Sequence, residues 1–143
     1  IIGHVMSNQY KEELLIRAKI YHSTKYLKFI KFVDSPMSYM PFFDLVILPT
    51  YEETFGLVAA EAMIMGVPVI GSNAGGVPEI ISHNNNGLLF ETKNMNDLSK
   101  KIDMIIENKT LRNNLVSNAH EYAYKEFDYN KHFDRLDKIF NSL

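Results

Sequence analysis

The chain changes hydrophobic period repeatedly along its length. Gln9 to Tyr21 carries Leu14, Leu15, Ala18 and Tyr21 at helical spacing. Tyr26 to Val33, YLKFIKFV, alternates apolar and basic residues and predicts a strand. Ile1 to Met6 reads as a short strand before the first helix. Asp34-Ser35-Pro36 is a turn that leads into a short helix over Met37 to Phe43. Leu45 to Leu48 is unbroken apolar sequence, which predicts a strand buried on both faces. A helix follows over Leu57 to Met65, then a second buried strand over Val67 to Ile70, entered through Gly66. Pro78 to Ser82 predicts a short helix and Gly87 to Phe90 a last short strand. Three helical stretches close the chain, near Met95 to Glu107, Leu111 to Lys125 and Tyr129 to Leu143.

Strands that alternate with helices predict a parallel α/β sheet covered on both faces, a Rossmann-like layout. Ligands of such sheets bind beyond the carboxyl ends of the strands. The loop after Leu48 is therefore the first place to look for a site.

Composition narrows the choice of ligand. The 143 residues predict one domain, and the 46% apolar content is enough for a core. A net charge of −2 argues against nucleic acid as a partner, since phosphate backbones select clustered Lys and Arg. With no cysteine, disulfides and thiolate metal sites are excluded. The longest apolar stretch, Ala62 to Gly71, is interrupted by Gly66 and Pro68 and falls short of the roughly 18 residues of a spanning helix. The chain opens on Ile1-Ile2-Gly3, without Met and with an apolar strand already under way. That opening predicts a piece of a longer protein.

The segment Leu57 to Met65, LVAAEAMIM, is apolar all round except for Glu61, which predicts a buried helix with one carboxylate in it. A buried carboxylate needs partners. A backbone amide, a Lys or a ligand hydroxyl would each serve. Thr54 stands where an N-cap belongs, with Phe55 and Gly56 in the first turn. A helix N-terminus offers bare N–H groups to phosphate, and glycine there lets a ligand approach the backbone. At ~1.5 Å per residue, Glu53 and Glu61 are on the order of 10 Å apart along the axis. Phosphate between two hydroxyl-rich groups at that spacing describes a nucleotide sugar. Glu53 then holds sugar hydroxyls, the amides of Gly56, Leu57 and Val58 the diphosphate, and Glu61 the ribose.

The run ILPTYEETFGLVAAEAMIMGVPVIGSNAGGVPEII resembles the donor-site signature of glycosyltransferase family 4, retaining enzymes of group 1 with two Rossmann-like domains in the GT-B fold. Its matching parts are Glu53 and Glu61 with seven residues between them, Phe55-Gly56-Leu57, Gly66-Val67-Pro68-Val69-Ile70, and Gly75-Gly76 with Glu79. Weaker likeness extends from Ile1-Ile2-Gly3 through Lys28-Phe29 to Gly87-Leu88-Leu89-Phe90. The resemblance implies a C-terminal donor-binding domain of a hexosyltransferase. It gives Glu53 the transferred sugar as catalytic residue, Thr54, Phe55, Gly56, Leu57 and Val58 the sugar and phosphate, and Glu61 the ribose. Phe32 and Val33 resemble the region that frames the base. No metal and no cofactor are expected. The partners it implies are a nucleoside-diphosphate-sugar donor and a missing N-terminal domain that carries the acceptor site.

The family also sets an Arg and a Lys against the donor diphosphate, upstream of the first strand here. Between Phe32 and Thr92 there is no Lys or Arg, against seven acids: Asp34, Asp44, Glu52, Glu53, Glu61, Glu79 and Glu91. A departing diphosphate needs positive charge. The chain alone is thus expected to bind a donor weakly and to transfer nothing. A non-catalytic Rossmann-like binding module, and an epimerase or phosphorylase relative, are the competing readings. The apolar stripe Tyr129, Phe133, Leu136, Phe140 and Leu143 packs on the domain's own sheet or forms a dimer contact. The basic Lys131, Arg135 and Lys138 make a solvated face or a peripheral membrane contact. A cytoplasmic location, at the inner face of the membrane, goes with these expectations. His83, in the turn HNNNG, is expected to be exposed rather than functional.

Overall fold

A computed structural model describes residues 7–52 and 54–127. The expected strand Ile1 to Met6, the helix Tyr129 to Leu143 with its apolar stripe and basic face, and Glu53 lie outside the described residues. Two compact units divide the chain, residues 1–38 and 39–143.

In the first unit, helix α1 spans Asn8–Ile20. Ser7 caps it, its Oγ accepting from the Tyr10 amide at 3.2 Å. It stops at His22, whose φ of 53° is left-handed, and the Ser23 amide bonds back to the Ala18 carbonyl at 2.8 Å. Ala18 is its one buried residue. The strand expected over Tyr26 to Val33 differs in the structure. Thr24–Tyr26 is a 3-10 turn, and beyond it only Ile30 makes a bridge. A strand exists through its ladder, and over these residues the one bridge is all the ladder that is described. The expected helix at Met37 is a 3-10 helix, Pro36–Phe42.

The second unit is built on three parallel strands, β1 (Val46–Leu48), β2 (Val69–Ser72) and β3 (Leu88–Phe90), in the order β1-β2-β3. Ile47 pairs with Ile70, and Ile70 with Leu88. Between them run α2 (Leu57–Ile64) and α3 (Val77–Ile80), and after them α4 (Met95–Glu107) and α5 (Lys109–Glu126). Ile70, Leu88 and Phe90 form the main core with Leu98, Ile105 and Leu115 of α4 and α5. On the opposite face Gly71 lies under Val77 and Ile81. The sheet is therefore covered on both sides, as the strand-helix alternation predicts. β1 is less enclosed than expected: it stands at the end of the described sheet, and Leu48 alone of its three residues is buried.

Asn94 and Asn108 cap α4 and α5, their side-chain oxygens accepting from the Asp97 amide at 3.0 Å and the Leu111 amide at 2.9 Å. α2 closes with Val67 N–H on the Ala62 carbonyl at 2.9 Å and Gly66 N–H on Met63 at 3.1 Å, a Schellman turn. That turn delays the next strand. It begins at Val69, not at Val67, and runs on through Ser72.

Candidate donor site

Three loops leave the carboxyl ends of the strands, residues 49–56, 73–76 and 91–94. The first ends at the N-terminus of α2, and there the structure corrects the expected cap. Thr54 is not the N-cap. Gly56 is, with φ 79°, and no side chain caps the helix among the described residues. A left-handed turn of this kind costs glycine little and other residues more. Uncapped, the first N–H groups of α2 lack a side-chain acceptor, and the residues that carry them are exposed, Leu57 60% and Val58 47%. This also corrects the expectation of a helix buried all round. α2 buries Ala59, Ala60, Ala62 and Met63, and Glu61 is half-buried.

The turn is held from two directions. Phe55 meets Phe127, past the end of α5, edge-on at 6.3 Å between ring centres, and Phe127 meets Tyr122 at 6.0 Å in the same manner. The Tyr122 hydroxyl donates to the Glu79 carbonyl at 3.4 Å, and burial followed by the nearby Glu126 carboxylate raises its pKa. From the other side the Gly75-Gly76 loop presses on the backbone. A Cβ on Gly76 would overlap the Thr54 carbonyl oxygen and come within 3.0 Å of the Phe55 Cα. Ser72, 1% exposed, donates its hydroxyl to the Thr50 carbonyl at 2.5 Å. The end of β2 and the loop after it thus bear on the first loop at Thr50 and at Thr54. Asn73 extends the same network to β3: its amide donates to Phe90 at 2.8 Å and its carbonyl accepts from Thr92 Oγ1 at 3.3 Å.

The comparisons with known proteins bear on this arrangement. A family model for the group 1 glycosyl transferases matches residues 1–122. The chain belongs to the group 1 glycosyltransferases. An uncharacterised glycosyltransferase of Methanocaldococcus jannaschii is 37% identical over 113 residues, 79% of this chain and 32% of that protein. The N-acetyl-alpha-D-glucosaminyl L-malate synthase of Bacillus anthracis is 34% identical over 97 residues, 68% of this chain and 26% of the relative. The chain therefore spans about a quarter to a third of the length of these relatives. Among solved structures, Anabaena HepE in complex with UDP aligns over 99% of this chain and 40% of its own, with 30% identity and a TM-score of 0.92. The fold is that of the Rossmann-like C-terminal domain of GT-B glycosyltransferases.

The described residues expected at the site fall into two groups. Thr54, Phe55, Gly56, Leu57, Val58 and Glu61 are contiguous around the start of α2, whereas Phe32, exposed, and Val33, half-buried, belong to the first unit. Sequence reasoning did not single out Phe127 or Lys93. The Lys93 Nζ sits 5.4 Å from the centre of the Tyr51 ring, so a cation does reach these loops despite the basic-free stretch before it. A seventeen-residue walk from Gly76 to Lys93 hides a neighbour that the parallel sheet supplies in space. His83 is exposed, as expected, and its role is structural, since its Nδ1 accepts the Leu89 amide at 2.8 Å.

Proposed function

We propose that the chain is the donor-binding portion of a retaining, family 4-type hexosyltransferase. In this reading the whole enzyme transfers a sugar from a nucleoside diphosphate to a polysaccharide, lipopolysaccharide or glycolipid acceptor. The uncapped start of α2, built of exposed residues, carries the reading, because bare N–H groups at a helix start suit a diphosphate. The Anabaena neighbour is known with UDP-glucose as well as UDP, which supports a uridine donor. Glu53 orients the transferred sugar, the amides of Gly56, Leu57 and Val58 take the phosphates, and Glu61 binds the ribose. The acceptor site and the principal cations for the leaving group belong to a domain beyond this chain. No helix among the described residues is long and apolar enough to cross a membrane, and we assign any membrane contact to a peripheral one at the cytoplasmic face. Titration with UDP and UDP-glucose, followed by amide NMR, tests the reading. Shifts centred on Gly56 to Glu61 are expected. Their absence at millimolar ligand would remove the binding assignment.

A further inference from the structure

We propose that Lys93 and Tyr51 form an anion subsite at the sugar end of the donor cleft, which takes a phosphate or carboxylate group of the donor or the acceptor. The inference rests on the donor-site reading above, and it concerns residues that the donor signature does not contain.

The loops at the carboxyl ends of the three strands hold Glu52, Glu53 and Glu91 and a single cation, Lys93. The fold carries that cation across β2 to the Tyr51 ring, two residues ahead of Glu53. Lys93 also stands where a side chain is disfavoured. The Asn94 amide bonds back to the Glu91 carbonyl at 2.9 Å and closes a turn, with Lys93 inside it at φ 68°. Glycine is the residue such a position favours. A strained conformation kept at the mouth of a cleft points to a use for the side chain.

The turn is anchored independently of that side chain. Thr92 Oγ1 holds it to Asn73, the Glu91 amide donates to Asp97 Oδ2 at 2.8 Å, and Asn94 Nδ2 donates to Glu91 Oε2 at 2.7 Å. The Lys93 ammonium pairs with no carboxylate among the described residues. Its contact is with the face of an exposed ring, which holds the charge in place and uses none of its N–H donors on a carboxylate among the described residues. An open cleft of about 380 Å³, lined by residues 91–96, lies alongside. Sugar transfer gathers negative charge on the leaving phosphate, and an acidic surface needs a local cation to receive an anion there.

The experiment uses the full chain and four forms of it: wild type, Lys93→Gly, Lys93→Asn and Lys93→Arg. Glycine and asparagine suit the left-handed turn and remove the charge, so both should fold, with melting temperatures equal to wild type or higher. Inorganic phosphate and UDP are titrated separately at low salt, with amide shifts read at Tyr51, Thr92 and Lys93 and at Gly56 to Val58. Loss of a charge-assisted bond predicts phosphate binding at Tyr51 and Lys93 weakened about tenfold in the Gly and Asn forms, and kept in the Arg form. If UDP weakens in step, the anion is the donor's diphosphate. If UDP is unaffected, the anion is the acceptor's. Equal phosphate affinity in all four forms, or phosphate shifts that never reach Tyr51 and Lys93, would overturn the subsite. A failure of UDP to move Gly56 to Val58 would instead remove the donor reading on which it rests.

Discussion

At the scale of single residues, the two glutamates are expected to do different work. Glu61→Ala should weaken UDP and UDP-glucose equally, about tenfold for one lost charge-assisted contact. Glu53→Ala should leave UDP binding intact and reduce the advantage of UDP-glucose over UDP. Calorimetric titration of both ligands against both variants checks this, and equal losses for both ligands in both variants would contradict it. His83 gives a pH dependence. Its pKa is lowered below the ordinary 6.5, first by burial and then by the Lys101 charge, against a smaller pull upward from Asp97. The folded state therefore binds this proton less readily than the unfolded chain. Its contribution is complete above pH 6.5 and is lost as the pH falls through 6.5 toward the lowered folded value. A protonated Nδ1 also cannot accept the Leu89 amide. The urea midpoint should drop between pH 7.5 and pH 5.5, and less steeply in His83→Gln.

At the scale of elements, the end of β2 and the loop after it organise the other two loops. Ser72 bonds toward β1 at Thr50, Asn73 toward β3 at Phe90, and Gly76 bears on Thr54. Ser72→Ala removes a buried hydroxyl and leaves the Thr50 carbonyl short of its donor, at a cost of about 1–2 kcal/mol. Ser72→Thr, which keeps the hydroxyl, should recover part of that loss in a urea denaturation series. The elements themselves were largely legible in the sequence. Met95 to Glu107 is a helix to the residue, because Asn94 supplies the cap and the apolar spacing is regular. The misreadings have local causes. Val67 looks like strand but its amide is spent on closing α2, while Ser72 looks like loop and is strand with its polar atom satisfied internally. Thr54 has the chemistry of a cap, yet a left-handed glycine two residues later takes the position and leaves the helix end bare. Side-chain preference gives no sign of which outcome a turn will choose.

At the scale of the whole molecule, charge is unevenly divided. Residues 1–38 hold six basic and three acidic side chains, and residues 39–143 nine and fourteen. The proposed diphosphate site sits in the acidic part, with Lys93 as the cation of its strand-end loops. The purified chain is accordingly predicted to consume no UDP-glucose in the presence of acceptor polysaccharide, measured by UDP release. Turnover above the protein-free blank would show that the cations and acceptor groups needed are already within it. The proposed donor motif is visible in the sequence because Glu53 to Glu61 is contiguous. Lys93 could not, because its place beside Tyr51 depends on the order of three strands.

The Phe55–Phe127 contact also decides where this protein can be cut. The family match ends at residue 122, inside α5, yet the ring that buttresses the turn proposed to bind phosphate comes five residues later. Similarity to relatives and mechanical completeness thus set different boundaries. A truncation at 122 would keep every residue of the recognised signature and remove the prop beneath it. Expression trials guided by homology alone would then yield a folded sheet with a slack ligand turn, and the weak binding would be blamed on the wrong residues.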